Sequence, residues 1–242
     1  MTERVEVAIG IFIGYFLVFG LSTGVIGRLL RIHPEIIRKV YHIFGIASMV
    51  ILLYVFPGWK SALGTVVVFF IVAYGIVFMI EDTDFMKRFR KERRKEDAKI
   101  REQILYVVLV YSFLIITFWG IGGEDHKHFI LFGTMTWCFG DALAALVGRF
   151  YGRKKFQYKH FDRDKTREGF QAFVLSTTLA NLVILLIFYA FPLGVSIGIA
   201  LLLGLAGGVI ELMSKRGLDT VTIPIGITLL AYAVINGVLV FY

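Results

Sequence analysis

Cysteine is nearly missing from this chain. Cys138 is the sole one, which excludes an internal disulfide and any cysteine-built metal centre and leaves the redox compartment unread. Side-chain amides are scarce too, with two asparagines and three glutamines in 242 residues, a depletion of the kind seen in heat-adapted proteins. Neither G-x-x-x-x-G-K-[ST] nor G-x-G-x-x-G occurs, so a nucleotide would have to be held by something other than the familiar phosphate loops. Charge is thin as well. Charged residues make up 18% of the chain and hydrophobic ones 57%, at a mean hydropathy of +0.76, whereas soluble domains are about half apolar and a quarter charged. An ordinary soluble domain is excluded, and the chain is predicted to be an integral membrane protein.

What is present is a succession of apolar runs, at about 5 to 27, 40 to 57, 60 to 80, 104 to 121, 129 to 150, 170 to 191, 194 to 213 and 221 to 242. Each is close to the ~20 residues that a helix needs to cross a bilayer. The expected architecture is therefore all-α, a single integral membrane domain over 1 to 242 with about eight transmembrane helices. The first run follows acidic Glu3 and Glu6 and precedes no small-residue cleavage site, so it reads as a retained anchor rather than a signal peptide.

Basic residues are lacking between alternate runs, and that sets the expected topology. Four connections, at about 28 to 39, 81 to 103, 149 to 169 and 214 to 220, hold 23 of the 26 Lys and Arg residues, leaving Arg4, Lys60 and Lys127 for the other side. Basic loops stay cytoplasmic, which places these four inside and both termini outside. The net charge of +8 thus tracks topology and is no nucleic-acid signal. Within the second connection, EDTDFMKRFRKERRKEDAKIREQ has Glu and Lys/Arg at four-residue spacing; it reads as a solvated, partly helical connector that touches anionic headgroups. Small residues recur four apart at Gly10 and Gly14, Gly20 and Gly24, Gly194 and Gly198, and Gly204 and Gly208, a spacing that lets membrane helices pack closely.

Four clusters with chemical potential fall at the predicted cytoplasmic helix ends. In RKVYHIFG, Arg38 and His42 share a helix face with Lys39 one step round, which suits an anionic ligand; the alternative is headgroup anchoring by the cations and packing by His42, with His33 a loop residue. Asp141, after Gly140, lies eight residues before Arg149, about 12 Å along a helix. A carboxylate at that depth costs roughly 3 kcal/mol to insert, so it needs a partner or a chemical role. It could hold a divalent cation, take a proton from a hydroxyl, or form a structural pair with a cation such as Arg38. The third cluster joins Gly148, Arg149, Gly152, Arg153, Lys154 and Lys155 to Lys165, Thr166, Arg167, Glu168 and Gly169. Its glycines permit close backbone approach and its cations neutralise phosphate oxygens. The fourth sets Glu211 near Asp219, Thr220, Thr222 and Pro224, and with Asp141 these acids would supply the oxygen ligands that Mg2+ favours. His126 and His128, on an outer loop without nearby metal-binding partners, read as solvated, and Cys138 as packing.

Taken in order, RKVYH, GDALAALVGRFYGRKK, KTREG and IELMSKRGLDTVTIPI resemble the CTP-dependent lipid-alcohol kinases, which include dolichol or polyprenol kinases, phytol kinases and the fungal-type diacylglycerol kinases. The resemblance spans residues 38 to 224. It departs from the family pattern K-S-x-E-G-S at Thr166 and Phe170, and from D-N-L-T-x-P at Thr220 and Val221. The K-T-x-E-G-F run is also similar to phosphatidate cytidylyltransferases, but their C-terminal H-G-G-x-x-D-R segment has no counterpart here.

The kinase resemblance implies that the terminal phosphoryl of CTP moves, with Mg2+ or a similar cation, to the hydroxyl of a membrane isoprenoid alcohol of polyprenol or dolichol type. It implies a metal or general-base role for Asp141, and metal or nucleotide contacts for Glu211 and Asp219. Phosphate or nucleotide contacts would come from Lys165, Arg38, Lys39, Gly148, Arg149, Gly152, Lys154, Glu168 and Gly169. His42 would orient a phosphate or the acceptor. The expected partners are CTP, the lipid alcohol and membrane lipids, with no nucleic acid; the oligomeric state is left open. The expected location is the plasma membrane of a prokaryote or the endoplasmic reticulum of a eukaryote, with the active site facing the cytoplasm. A transporter or scaffold is the non-enzyme alternative, and it would spread its acids across the full membrane depth.

Overall fold

A computed structural model of the chain describes residues 2–80, 100–156, 165–214 and 217–240. Most of the charged connector at 81 to 103, residues 157–164 of the third basic segment, and Lys215 and Arg216 lie outside the described residues. The helices are α1 (Thr2–Leu29), α2 (Pro34–Tyr54), α3 (Trp59–Ile80), α4 (Ile100–Leu114, continued as a π-helical turn over Ile115–Ile121), α5 (Phe129–Tyr151), α6 (Arg167–Phe188), α7 (Leu193–Met213) and α8 (Asp219–Leu239). Eight of the described segments are long and apolar enough to cross a membrane, in agreement with the hydropathy reading.

The boundaries differ where charge hides a helix from a hydropathy scan. α2 begins at Pro34, about a turn and a half before its apolar run: Pro34 occupies the first turn, where its missing N–H costs nothing, and the Nδ1 of His33 accepts the N–H of Glu35 at 3.1 Å. Arg38 and Lys39 are therefore helical, as their reading on one helix with His42 requires, although they close the basic connection at 28 to 39, and His33 is a cap. α6 likewise starts at Arg167, with Thr166 as its N-cap accepting from the Gly169 N–H at 3.1 Å. Thr166 thus has a defined role despite its departure from the family pattern. The π-helical turn in α4 has no signal in the sequence.

α5 is the hub. Its apolar window is 67% buried, against 11% in α1 and in α3, and it packs against α2, α6, α7 and α8. Glycine makes the closest approaches possible. A Cβ on Gly140 would sit 2.5 Å from the Phe173 ring and 2.7 Å from Thr177 Cγ2, and one on Gly133 would collide with the backbone carbonyl of Pro224. The small-residue reading thus holds for one of its four pairs. Gly204 and Gly208 do press against α6, but Gly10, Gly14, Gly20, Gly194 and Gly198 have nothing within 4 Å of a Cβ, and on Gly24 it meets only the Tyr41 hydroxyl at 3.3 Å. Spacing alone does not say which glycines face a neighbour.

The apolar faces of α1 and α3 carry many exposed large residues, Val18, Leu21, Ile71 and Phe78 among them, as a lipid-facing surface would. Cys138 is buried, with its Sγ 3.6 Å from the Ile43 carbonyl, and serves packing as expected.

Candidate functional site

Helices α2 and α5 meet through charge. Lys39 Nζ lies 2.6 Å from Asp141 Oδ2, with Lys39 3% and Asp141 18% exposed. Pairing answers the desolvation of both groups, and removing one partner of such a pair costs about 3–5 kcal/mol because the other charge is stranded. Lys39 thus takes the place that the sequence reading offered to Arg38. His42, one turn further along α2, brings Nε2 to 3.1 Å from the same carboxylate oxygen. The approach is off the hydrogen-bond direction, so Nε2 has no hydrogen-bond partner among the described residues, and the ring stands edge-on to Trp137 at 5.2 Å.

Arg38 turns instead to Glu35, with contacts of 2.6 and 3.2 Å, and Arg149 reaches the same carboxylate at 3.3 Å. Glu35 thus joins the first turn of α2 to the last turn of α5. The sequence reading missed it; the available signal was its three-residue spacing from Arg38, which puts both on one helix face.

A second charge pair lies across the cleft. Lys165 Nζ is 2.8 Å from Glu211 Oε1 and also donates to the Glu211 backbone carbonyl, which ties the entry of α6 to the end of α7. Asp219 opens α8, accepts the Thr220 N–H at 3.0 Å and makes no ion pair among the described residues. Glu168 faces the other way. Its Oε2 accepts the backbone N–H groups of Arg153 and Lys154 at 3.1 and 3.3 Å. With the Lys155–Thr166 bridge and the Arg167 N–H to Lys154 carbonyl bond of 2.8 Å, it closes the basic segment onto the start of α6.

These groups surround one cavity of about 1000 Å3. Of the residues to which the kinase resemblance gives a role, all except Lys154 and Glu168 line it, so Glu168 acts on the loop backbone rather than from the cavity wall. Gly148, Gly152 and Gly169 line it too, but they make room for protein as well. A Cβ on Gly169 would lie 2.9 Å from the Ala144 carbonyl, and one on Gly148 would lie 3.2 Å from Thr166 Oγ1. They let α5 and α6 converge at the mouth.

The three acids do not form a ready-made metal centre: among the described residues no group of three Asp, Glu, His or Cys converges, and Asp141 and Glu211 are each neutralised by a lysine. The donor chemistry suits a hard cation that arrives with phosphates and needs one or two carboxylates, with Asp219 the acid best placed to meet it. Further along the helices the lining turns apolar, with Phe16 of α1, Ile46 of α2, Phe69 and Phe70 of α3 and Val107 of α4, which gives the cavity an apolar arm.

The two lysines, two arginines and carboxylates can thus hold a polyanion at one end, while the other end takes a hydrocarbon. A phytol kinase from Synechocystis sp. is 26% identical to this chain over 232 residues, covering 94% of the chain and 91% of the relative. The chain is thus similar to this kinase along nearly its whole length. Phytol kinases are among the lipid-alcohol kinases that the four motifs resemble. No family model matches the chain, and no solved structure does. His126 and His128, at the other end of the bundle, have structural roles that the sequence reading did not foresee. His128 Nδ1 lies 2.6 Å from the Tyr54 hydroxyl and its ring stacks on Phe188 at 4.3 Å, while His126 bonds the Gly122 carbonyl at 2.6 Å. Neither is simply solvated.

Proposed function

We propose that this protein is a membrane kinase that transfers the terminal phosphoryl of CTP to the hydroxyl of an isoprenoid alcohol, giving a prenyl-type monophosphate and CDP. One observation carries this reading: a single cavity has buried charge pairs at its polar end and an apolar arm leading into the bundle. A substrate pair of which one member is a polyanion and the other a hydrocarbon chain with a terminal hydroxyl fits that division. A transporter would need a path through the bundle, and Met49, Leu52, Leu53, Leu114 and Ile115 fill its interior with no exposed surface.

Phosphoryl transfer asks a protein mainly for positioning and charge neutralisation. Arg38, Arg149 and Lys165 serve as phosphate partners at the mouth, and Lys39 holds Asp141 in place. The Asp141 carboxylate receives the proton that the hydroxyl loses as its oxygen bonds to phosphorus, and His42, beside the same oxygen, orients the hydroxyl. Asp219 would hold a divalent cation, whose chemistry there would be to neutralise charge on the leaving CDP. The polar end faces the cytoplasm, where CTP is found, in the plasma membrane of a prokaryote or the endoplasmic reticulum of a eukaryote. Polyprenol- and dolichol-type alcohols follow from the motif resemblance, and a phytol-type alcohol from the curated relative.

The test is an assay of the purified protein in detergent with labelled CTP or ATP, Mg2+, and isoprenoid alcohols beside diacylglycerol and phosphatidate. Label in a prenyl monophosphate, lost on chelation, supports the reading. A CDP-lipid with pyrophosphate release would replace it with a cytidylyltransferase.

A further inference from the structure

The basic segment after α5 is held in shape by a side chain that takes no part in the cavity wall. Residues 154–156 run antiparallel to residues 165–167: the Arg167 N–H meets the Lys154 carbonyl at 2.8 Å, the Phe156 N–H meets the Lys165 carbonyl at 3.2 Å, and Lys155 faces Thr166 between them. Residues opposite one another in such a ribbon share a face, and their chain neighbours point the other way. Lys155 and Thr166 accordingly line the cavity, whereas Lys154 and Arg167 do not. Because Arg153, Lys154 and Lys155 are consecutive, a slip of one residue would present a different cation at the same net charge. A ribbon this short does not hold its register unaided. What pins it is Glu168, whose Oε2 accepts the N–H groups of both Arg153 and Lys154 at 3.1 and 3.3 Å. Gly152, just before them, leaves no slack: a Cβ there would lie 2.2 Å from the Gly148 carbonyl and 2.6 Å from Thr166 Cγ2. On the far side, the Phe156 ring stands edge-on to Phe170 of α6 at 6.1 Å.

We propose that Lys155 is a phosphate contact for the nucleotide and that Glu168 is its positioning residue, acting through the backbone to fix the register that turns Lys155 toward the cavity. The inference rests on the kinase reading above and adds a second lysine to its nucleotide site. The two lysines differ in setting. Lys165 is held against Glu211 with 20% of its side chain exposed, whereas Lys155 is exposed on the ribbon. A cation at the mouth meets the phosphates that are not transferred, and it does so equally before and during transfer. Such a contact lowers KM for the nucleotide and leaves kcat nearly alone.

The experiment measures binding of CTP and of inorganic tripolyphosphate to the full chain in detergent without alcohol, and then turnover. It compares the wild type with Lys155→Ala, Glu168→Ala, Glu168→Gln and the double alanine variant. Each single alanine variant is expected to weaken both ligands about tenfold and to raise KM for CTP equally, with kcat within about twofold. The double variant should be no weaker than the worse single one, because both residues act through one contact. Glu168→Gln keeps an oxygen for the two N–H groups and should stay within about threefold of the wild type. Amide exchange at Arg153 and Lys154 should quicken in Glu168→Ala and not in Lys155→Ala. Wild-type affinity in Lys155→Ala removes the phosphate contact. A loss of about a hundredfold in the double variant, or a Glu168→Gln as weak as Glu168→Ala, makes Glu168 a contact in its own right and overturns the positioning role. If Glu168→Ala does not fold, Glu168→Asp, too short to reach both N–H groups, replaces it. Tripolyphosphate affinity that falls in these variants while no alcohol is phosphorylated keeps the contact and sinks the kinase reading. Turnover with nucleotide affinity unchanged in both single variants sinks the contact and leaves the kinase.

Discussion

The two ends of the helix bundle use similar side chains to different effect. At the polar end, Lys39 and Asp141 pair at 2.6 Å with 3% and 18% exposure, while at the opposite end Lys127 and Glu124 pair at the same 2.6 Å with 17% and 63% exposure. At the opposite end the histidines are stacked on rings, and Lys127 lies 5.3 Å above Tyr54 and 5.2 Å above Trp119. That end is sealed by aromatic packing, with a smaller cavity of about 500 Å3 at Glu3, Arg4 and Pro57. Inventory therefore does not distinguish the two ends; burial and the space beside the charges do. An exposed pair contributes about 0–1 kcal/mol, whereas a buried pair at a cavity wall holds its charges in a fixed place, which is what transition-state stabilisation requires.

The contrast can be broken most directly at Asp141. Asp141→Asn is expected to lower phosphoryl transfer by about 10^3-fold or more, read with labelled CTP and geranylgeraniol. Because it strands Lys39, it should also destabilise the fold by about 3–5 kcal/mol. The double variant Asp141→Asn with Lys39→Met should recover most of the melting temperature and none of the turnover. Recovery of turnover would show that the pair is purely structural. Lys165→Met comes next. Loss of a phosphate partner is expected to cost about 10^2-fold in kcat, with Glu211 then left buried and alone, and a rate near wild type would remove Lys165 from the site.

Smaller again is Glu35→Gln, which keeps the shape but loosens Arg38 and Arg149. The KM for the nucleotide should rise about tenfold with kcat nearly unchanged, the signature of lost uniform binding; a change in kcat alone would refute the phosphate assignment of these arginines. The smallest effect belongs to the opposite end. Glu124→Gln should leave turnover unaltered and shift stability by no more than about 1 kcal/mol. A loss of activity there would abolish the distinction between the two ends.

Much of this is legible without coordinates, and the misses have physical causes. The eight crossings follow from hydropathy, and four ordered motifs contain most of the polar residues that line the cavity. The start of α2 escapes a hydropathy scan because such a scan ends a helix where charge begins, although Glu35, Arg38 and Lys39 continue it on backbone hydrogen bonds. The glycines are partly misassigned by spacing. Several at four-residue intervals face open space, while Gly148 and Gly169, read as room for phosphate, also let two helices touch. Glu168 looks like a ligand contact because a carboxylate amid cations invites that reading; in the fold it accepts two backbone N–H groups.

By itself, the sequence determined how many helices cross the membrane and where the basic segments fall, because bilayer thickness sets a length and charge resists burial. It also determined which polar residues stand at membrane depth, where only a partner or a chemical role repays their desolvation. Tertiary structure alone decided that Lys39 meets Asp141 across 102 residues and that Glu211 pairs with Lys165. Those outcomes depend on the rotation of each helix about its own axis and on which glycines let backbones approach. Packing of the whole bundle settles both at once.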